Sequence, residues 1–126
     1  MDQQIEELRK GRSTVIETDH TVILGWNQQV FTILAELIGA NANQRGRSVV
    51  VILADVDKTE MEETLREAIA ETRTTRIVCR SGEPWVAKNL DLVNLAGARS
   101  VVIVGGGHDT STVKTLLAIR SARAAQ

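Results

Sequence analysis

Aromatic residues are nearly absent from this 126-residue sequence, which has one Phe, two Trp and no Tyr. Proteins that bind single-stranded nucleic acid stack bases on several aromatic side chains, so that class is disfavoured. Neither sign of charge dominates, since 15 Lys and Arg face 16 Asp and Glu for a net charge of −1. Binding driven by attraction to phosphates needs a basic surface. We therefore expect no nucleic-acid partner.

Cysteine and long apolar runs are equally scarce. The one cysteine, Cys79, excludes an intramolecular disulfide and a cysteine-rich zinc site. No apolar run approaches the ~20 residues of a membrane span, and the polar first residues do not resemble a signal peptide. With 43% hydrophobic and 25% charged residues, the composition is that of one soluble globular domain in a cytosolic setting.

Short apolar segments and helical patterns alternate along the chain. Four segments rich in β-branched residues predict strands, and two of them are apolar at nearly every position, which is typical of strands covered on both faces. The strands are expected at 20–25, 48–54, 76–80 and 100–105. Amphipathic stripes and capping residues predict helices at 27–43, 57–73, 84–95 and 110–124.

Two local signals set the predicted helix starts. Asp57 and Glu60 have the spacing of a capping box, and Pro84 suits the first turn of a helix. The β-α alternation with right-handed crossovers predicts an α/β fold, a Rossmann-like parallel sheet in the order 3-2-1-4 with helices on both faces.

Ligands of open parallel sheets bind beyond the carboxyl ends of the strands, at the point where the strand order reverses. The candidate ligand-binding residues are therefore those of the loops that follow each strand. They are Gly25, Trp26, Asn27, Asp55, Arg80, Ser81, Gly82, Glu83 and Gly105.

The first loop only partly matches the dinucleotide fingerprint G-x-G-x-x-G. Gly25 fits the first glycine, but Asn27 and Val30 stand where the second and third belong. This favours weak or no NAD binding and leaves open a modified nucleotide site or a plain β-α turn. Asp55 is either an acid that holds a ribose hydroxyl or a turn residue, and Asp57 is more simply a helix cap.

No set of nucleophile, base and orienting group can be assembled, and the glycines from Gly105 lack the Lys-Ser/Thr ending of a P-loop. We therefore expect no enzyme activity. The cofactor stays undefined, with a nucleotide or Ca²⁺ as the candidates.

Two motifs carry a family resemblance. HTVILGWN at 20–27 and VCRSGEP at 78–84 together resemble the cytosolic domain of the CASTOR/POLLUX ion-channel family, over roughly residues 19–123. That domain is similar to the RCK and TrkA-type domains that regulate potassium conductance. The resemblance implies a gating-ring regulatory domain on the cytoplasmic side of a membrane, which senses a small ligand or ion.

The resemblance also implies a domain layout. Residues 1–18 would be a linker from a membrane pore of the same polypeptide, and residues 19–126 a truncated RCK/TrkA-N-like domain, an N-lobe fragment. Plant relatives use calcium, and three acidic residues here could supply oxygen ligands, although they do not make a full set, since Ca²⁺ prefers about six to eight. These metal candidates are Asp55, Asp57 and Glu83.

Self-association is the expected assembly. The strand at 100–105 would be an open sheet edge, and the helix at 110–124 would carry apolar residues with little cover, which invites a dimer or a ring. The alternative function is a free-standing nucleotide-binding protein or an oxidoreductase fragment. That class would need a substrate domain, for which this chain has no room.

Overall fold

The fold is an alternation of strands and helices, as the sequence predicts. A computed structural model describes residues 14–42, 46, 48–104, 115, 117 and 119. Its elements follow in chain order as β1 (Thr21–Leu24), α1 (Gln29–Asn41), β2 (Ser48–Ala54), α2 (Lys58–Ala68), β3 (Thr75–Ser81), α3 (Ala87–Leu92), a 3-10 turn (Leu95–Gly97) and β4 (Ser100–Ile103). Gly105 and the helix expected at 110–124 lie largely outside the described residues, as does most of the expected linker.

The four described strands form one parallel sheet in the order β3-β2-β1-β4. This confirms the predicted topology. In the centre of the sheet, Val22 of β1 pairs with Val51 of β2 and with Val101 of β4. The last five residues of β2 are all buried, because helices cover both of its faces. A strand covered on both sides has no polar face, which explains its continuous apolar run.

Helices cover both faces of the sheet, which confirms that part of the prediction. Leu34 of α1 and Met61 of α2, both fully buried, pack with Ile52 in one core cluster. Leu90 of α3 packs with Leu53 in a second cluster on the opposite face. We call these the α1/α2 face and the α3 face. Alternate residues of β2 thus serve two separate cores.

Helix boundaries differ from the prediction where local polar contacts intervene. Helix α1 starts at Gln29 rather than at 27, because the Asn27 side-chain oxygen accepts the Gln29 N–H at 2.8 Å. Helix α2 ends at Ala68 rather than at 73. The residues that follow include β-branched threonines, which disfavour helix, and Arg73 has a φ of +51°.

Two predicted helix starts are corrected as well. Asp57 occupies the N-cap position of α2, but its side chain makes no capping hydrogen bond, so the capping box does not form. Pro84 lies in a turn closed by the Val86 N–H and the Glu83 carbonyl oxygen, at 3.2 Å. The extended backbone of Val86, with φ −96° and ψ 120°, delays the start of α3 to Ala87.

Candidate functional site

The loop after β1 is shaped by the neighbouring strand end. Gly25 has a φ of +111°, and a Cβ at this position would lie 2.6 Å from the backbone oxygen of Val104. Its N–H donates to the Leu53 carbonyl at 2.9 Å. The glycine is thus required by the close approach of the backbone after β4, a reason independent of any phosphate.

The other two candidates of this loop make intramolecular contacts. The Trp26 ring packs edge-to-face on Phe31, with centroids 5.6 Å apart and planes at 75°, and Trp26 lies partly buried beside the α1/α2 face. The Asn27 carboxamide oxygen is the acceptor at the start of α1. Trp26 is therefore a packing anchor, and Asn27 orders the first turn of the helix.

A pocket of about 370 Å³ opens at the carboxyl ends of β2 and β3. It combines two acidic side chains, a lysine, a hydroxyl, an amide and one apolar side chain. The residues that line it are Asp55, Ser81, Gly82, Glu83, Lys88, Asn89 and Leu92. Four of the predicted site residues therefore meet here, and we call this cavity the carboxyl-edge pocket.

The wall of the pocket is built by the turn between β3 and α3. The Gly82 N–H donates to the Ala54 carbonyl at 2.8 Å, which continues the β2–β3 ladder by one residue. The side-chain amide of Asn89 donates to the Glu83 carbonyl at 3.0 Å. A Cβ on Gly82 would lie 2.9 Å from the Asn89 side chain, so a larger residue here would displace the Asn89 carboxamide from its hydrogen bond to Glu83.

The pocket lies beside the point that topology favours. In the order 3-2-1-4 the strand order reverses between β1 and β4, whereas the pocket lies between β2 and β3. Gly105, the candidate after β4, is outside the described residues, so the structure describes only one side of that crevice.

Sequence reasoning missed the contribution of α3. Lys88, Asn89 and Leu92 line the pocket although none was a candidate. The sequence contains a signal that could have identified two of them, because Lys88 and Leu92 are four residues apart in a predicted helix and so share a face. That face follows the β3 loop in the chain and borders the pocket at the carboxyl ends of β2 and β3.

The three carboxylates proposed for a metal do not line one cavity. Asp55 and Glu83 line the carboxyl-edge pocket, but Asp57, two residues further along, does not. Among the described residues, no group of three or more His, Cys, Asp or Glu side chains is placed to hold a metal ion. The calcium hypothesis stays a prediction.

Two neighbouring side chains near the site, those of Cys79 and Arg80, have pKa values that are shifted by burial. Burial, with a smaller contribution from Glu62, raises the pKa of the Cys79 thiol to about 12, so the thiol stays protonated and unreactive. The Arg80 guanidinium is partly buried, which lowers the pKa of Arg80 from its ordinary value. Its Nη1 donates to the Cys79 carbonyl at 2.8 Å, at the outer edge of the sheet.

In the described part of the chain, no helix is both long enough and apolar enough to cross a membrane.

Comparison with known proteins identifies relatives across nearly the whole sequence, although no family model matches it. The chain is 35% identical over 123 residues to a probable ion channel CASTOR of Oryza sativa subsp. japonica. It is 34% identical to a probable ion channel POLLUX of Arabidopsis thaliana and 32% identical to the ion channel CASTOR of Lotus japonicus. Each match covers 96% of this chain.

The matched segment is a small part of each relative. It amounts to 14% of the rice CASTOR, 15% of the Arabidopsis POLLUX and 14% of the Lotus CASTOR. The relatives are ion channels, which is compatible with a protein that is not an enzyme. Because this similarity extends over nearly the whole chain, the chain belongs to the CASTOR/POLLUX ion-channel family.

Proposed function

We propose that this chain is a regulatory domain of a cation or potassium channel, on the cytoplasmic side of the membrane, of the RCK type. The observation that carries the proposal is the similarity of a Rossmann-like unit to one short segment of ion channels. A segment of this size can regulate a pore supplied by the rest of the polypeptide. Its proposed partners are that pore and further copies of itself in a dimer or ring.

The carboxyl-edge pocket is the proposed sensor. Asp55 and Glu83 offer carboxylates to hydroxyl groups or to a cation, and Lys88 offers a positive charge to an anionic group. A nucleotide presents both kinds of group, and Ca²⁺ would use the carboxylates alone. In either case the ligand regulates the pore only if it binds one gating state more tightly than the other.

A titration of the chain with CaCl2, ATP and NADH tests the sensor. We expect one of the first two to shift the amide NMR signals of the pocket residues, and NADH to bind weakly because Asn27 and Val30 replace fingerprint glycines. Asp55→Asn removes a charged acceptor, so affinity should fall about ten- to a hundredfold.

The matched control is Asp57→Asn. Asp57 is an exposed carboxylate two residues away that does not line the pocket, so its loss should leave affinity nearly unchanged. Equal losses for both variants would place the ligand elsewhere. If none of the three probes binds, ligand sensing at this pocket is no longer part of the proposal. Tight NADH binding would favour the free-standing nucleotide-binding alternative.

A further inference from the structure

The segment that precedes β1 is attached to the end of α3. We call residues 14–20 the N-terminal strap. Val15, only 5% exposed, is buried in the core of the α3 face, whereas its neighbour Ile16 is 89% exposed. The strap is thus an irregular segment that is anchored on one side, and it leads directly into the central strand β1.

Three hydrogen bonds join the strap to three consecutive residues. The Val15 N–H donates to the Leu92 carbonyl at 2.7 Å, and His20 Nε2 donates to the Val93 carbonyl at 2.8 Å. The side-chain amide of Asn94 donates to the Glu17 carbonyl at 2.7 Å. The last carbonyls of a helix have no partner within it, so Val15 and His20 of the strap supply donors to carbonyls at the end of α3, whereas Asn94 donates to the strap.

The same short helix forms a wall of the carboxyl-edge pocket. Lys88, Asn89 and Leu92 all line the cavity, and the Leu92 carbonyl is the acceptor for Val15. Helix α3 has six residues, about 9 Å of helix, so its two ends cannot move independently over a large range. A shift of the helix at the pocket therefore acts directly on the hydrogen bonds of the strap.

We propose that occupancy of the carboxyl-edge pocket is transmitted through α3 to the N-terminal strap. The presence of a ligand in the pocket rests on the proposed function, but the coupling of the pocket to the strap through α3 does not. Coupling between two sites is reciprocal, so displacement of the strap must also change the pocket. In a longer polypeptide, the strap is the part of this domain through which a preceding segment would sense the ligand.

A wedge variant tests the coupling without a ligand. Gly82→Ala places a methyl group against the Asn89 carboxamide, which a Cβ would approach to 2.9 Å, and so displaces this α3 side chain from its hydrogen bond to the Glu83 carbonyl. We expect the Val15 amide to exchange its hydrogen about two- to tenfold faster, the range for loss of one net hydrogen bond. Gly39→Ala is the control, since a Cβ there meets nothing within 4 Å.

The result that overturns the proposal is equally specific. If Gly82→Ala shifts the amide signals of Lys88, Asn89 and Leu92 while exchange at Val15 equals that in Gly39→Ala, the pocket moves without the strap. Failure of every probe in the ligand titration would, by contrast, remove the sensor and leave this coupling standing. The two failures are therefore distinguishable.

A second variant tests the reverse direction and serves if Gly82→Ala does not fold. Asn94→Gly deletes the hydrogen bond to Glu17, and glycine accepts the φ of +50° that Asn94 adopts. We expect altered amide signals at Lys88 and Asn89, whose side chains line the pocket. Arg73→Gly is the matched control, because Arg73 also has a positive φ, +51°, in the loop before β3. Equal effects of the two variants at the pocket would contradict the coupling.

Discussion

At the scale of single residues, Gly25 illustrates how one sequence signal can have two physical causes. A glycine directly after the first strand of a Rossmann-like unit suggests a phosphate site. Here its φ of +111° and the Val104 oxygen, 2.6 Å from where a Cβ would stand, already require glycine. The sequence predicted that Gly25 would matter. It could not reveal the cause, which is a contact with a residue 79 positions away.

Substitution of Gly25 should therefore destabilise the fold whether or not a ligand binds. Gly25→Ala combines a left-handed backbone with a steric overlap, and we expect a loss of about 2–4 kcal/mol in the free energy of unfolding. Gly39→Ala, in an exposed helical position, should instead raise it by about 0.5–1 kcal/mol. Urea denaturation of both variants measures this difference. Two variants of equal stability would contradict the close approach at Gly25.

Cys79 predicts a pH dependence of stability. The unfolded thiol loses its proton near its ordinary pKa of 9.0, whereas the pKa of Cys79 in the folded protein is about 12. Between these values the unfolded state binds fewer protons, so the free energy of unfolding falls as pH rises, by up to about 1.4 kcal/mol per pH unit. Below pH 9.0 both states keep the proton and this dependence disappears.

Cys79→Ala isolates this contribution. Urea denaturation from about pH 8 to about pH 10.5 should give a steeper decline for the native chain than for the variant, since all other titrating groups are shared. Parallel declines would mean that the Cys79 thiol ionises as readily in the folded protein as in the unfolded one.

At the scale of secondary-structure elements, strands were predicted better than helix ends. The β2 bounds at 48–54 were predicted correctly, because a doubly covered strand leaves an unbroken apolar run. The start of α3 was wrong by three residues. Pro84 permits a first helical turn, but the Glu83–Val86 turn forms instead. That choice depends on packing beneath Pro84, which is buried, and such packing is not visible in local propensity.

The site residues were likewise predicted only in part. Topology predicted that the loops after β2 and β3 would meet, and Asp55, Ser81, Gly82 and Glu83 do line one pocket. The contribution of α3 was not foreseen, because the side chains that a helix turns toward the carboxyl edge cannot be derived until its start and direction are known. Asp57 was separated from the other carboxylates by the sharp turn of the chain into α2.

At the scale of the whole molecule, the parallel sheet with helices on both faces explains how a short chain can present a pocket at the carboxyl edge and an N-terminal strap that is bonded to the end of the helix lining that pocket. The relatives that share this segment are ion channels, and a channel is the context that we propose for this unit. Self-association through β4 or the helix expected at 110–124 stays a prediction, since that helix lies largely outside the described residues.

The central claim is that this unit controls a pore, and single-channel recording tests it most directly. The product of the complete gene, placed in planar bilayers, should conduct cations with an open probability that changes when CaCl2 or ATP is added on the side of this domain. Asp55→Asn should weaken that response and leave the unitary conductance unchanged, and Asp57→Asn should change neither. A gene product without conductance, or a response that Asp55→Asn leaves intact, would contradict the account.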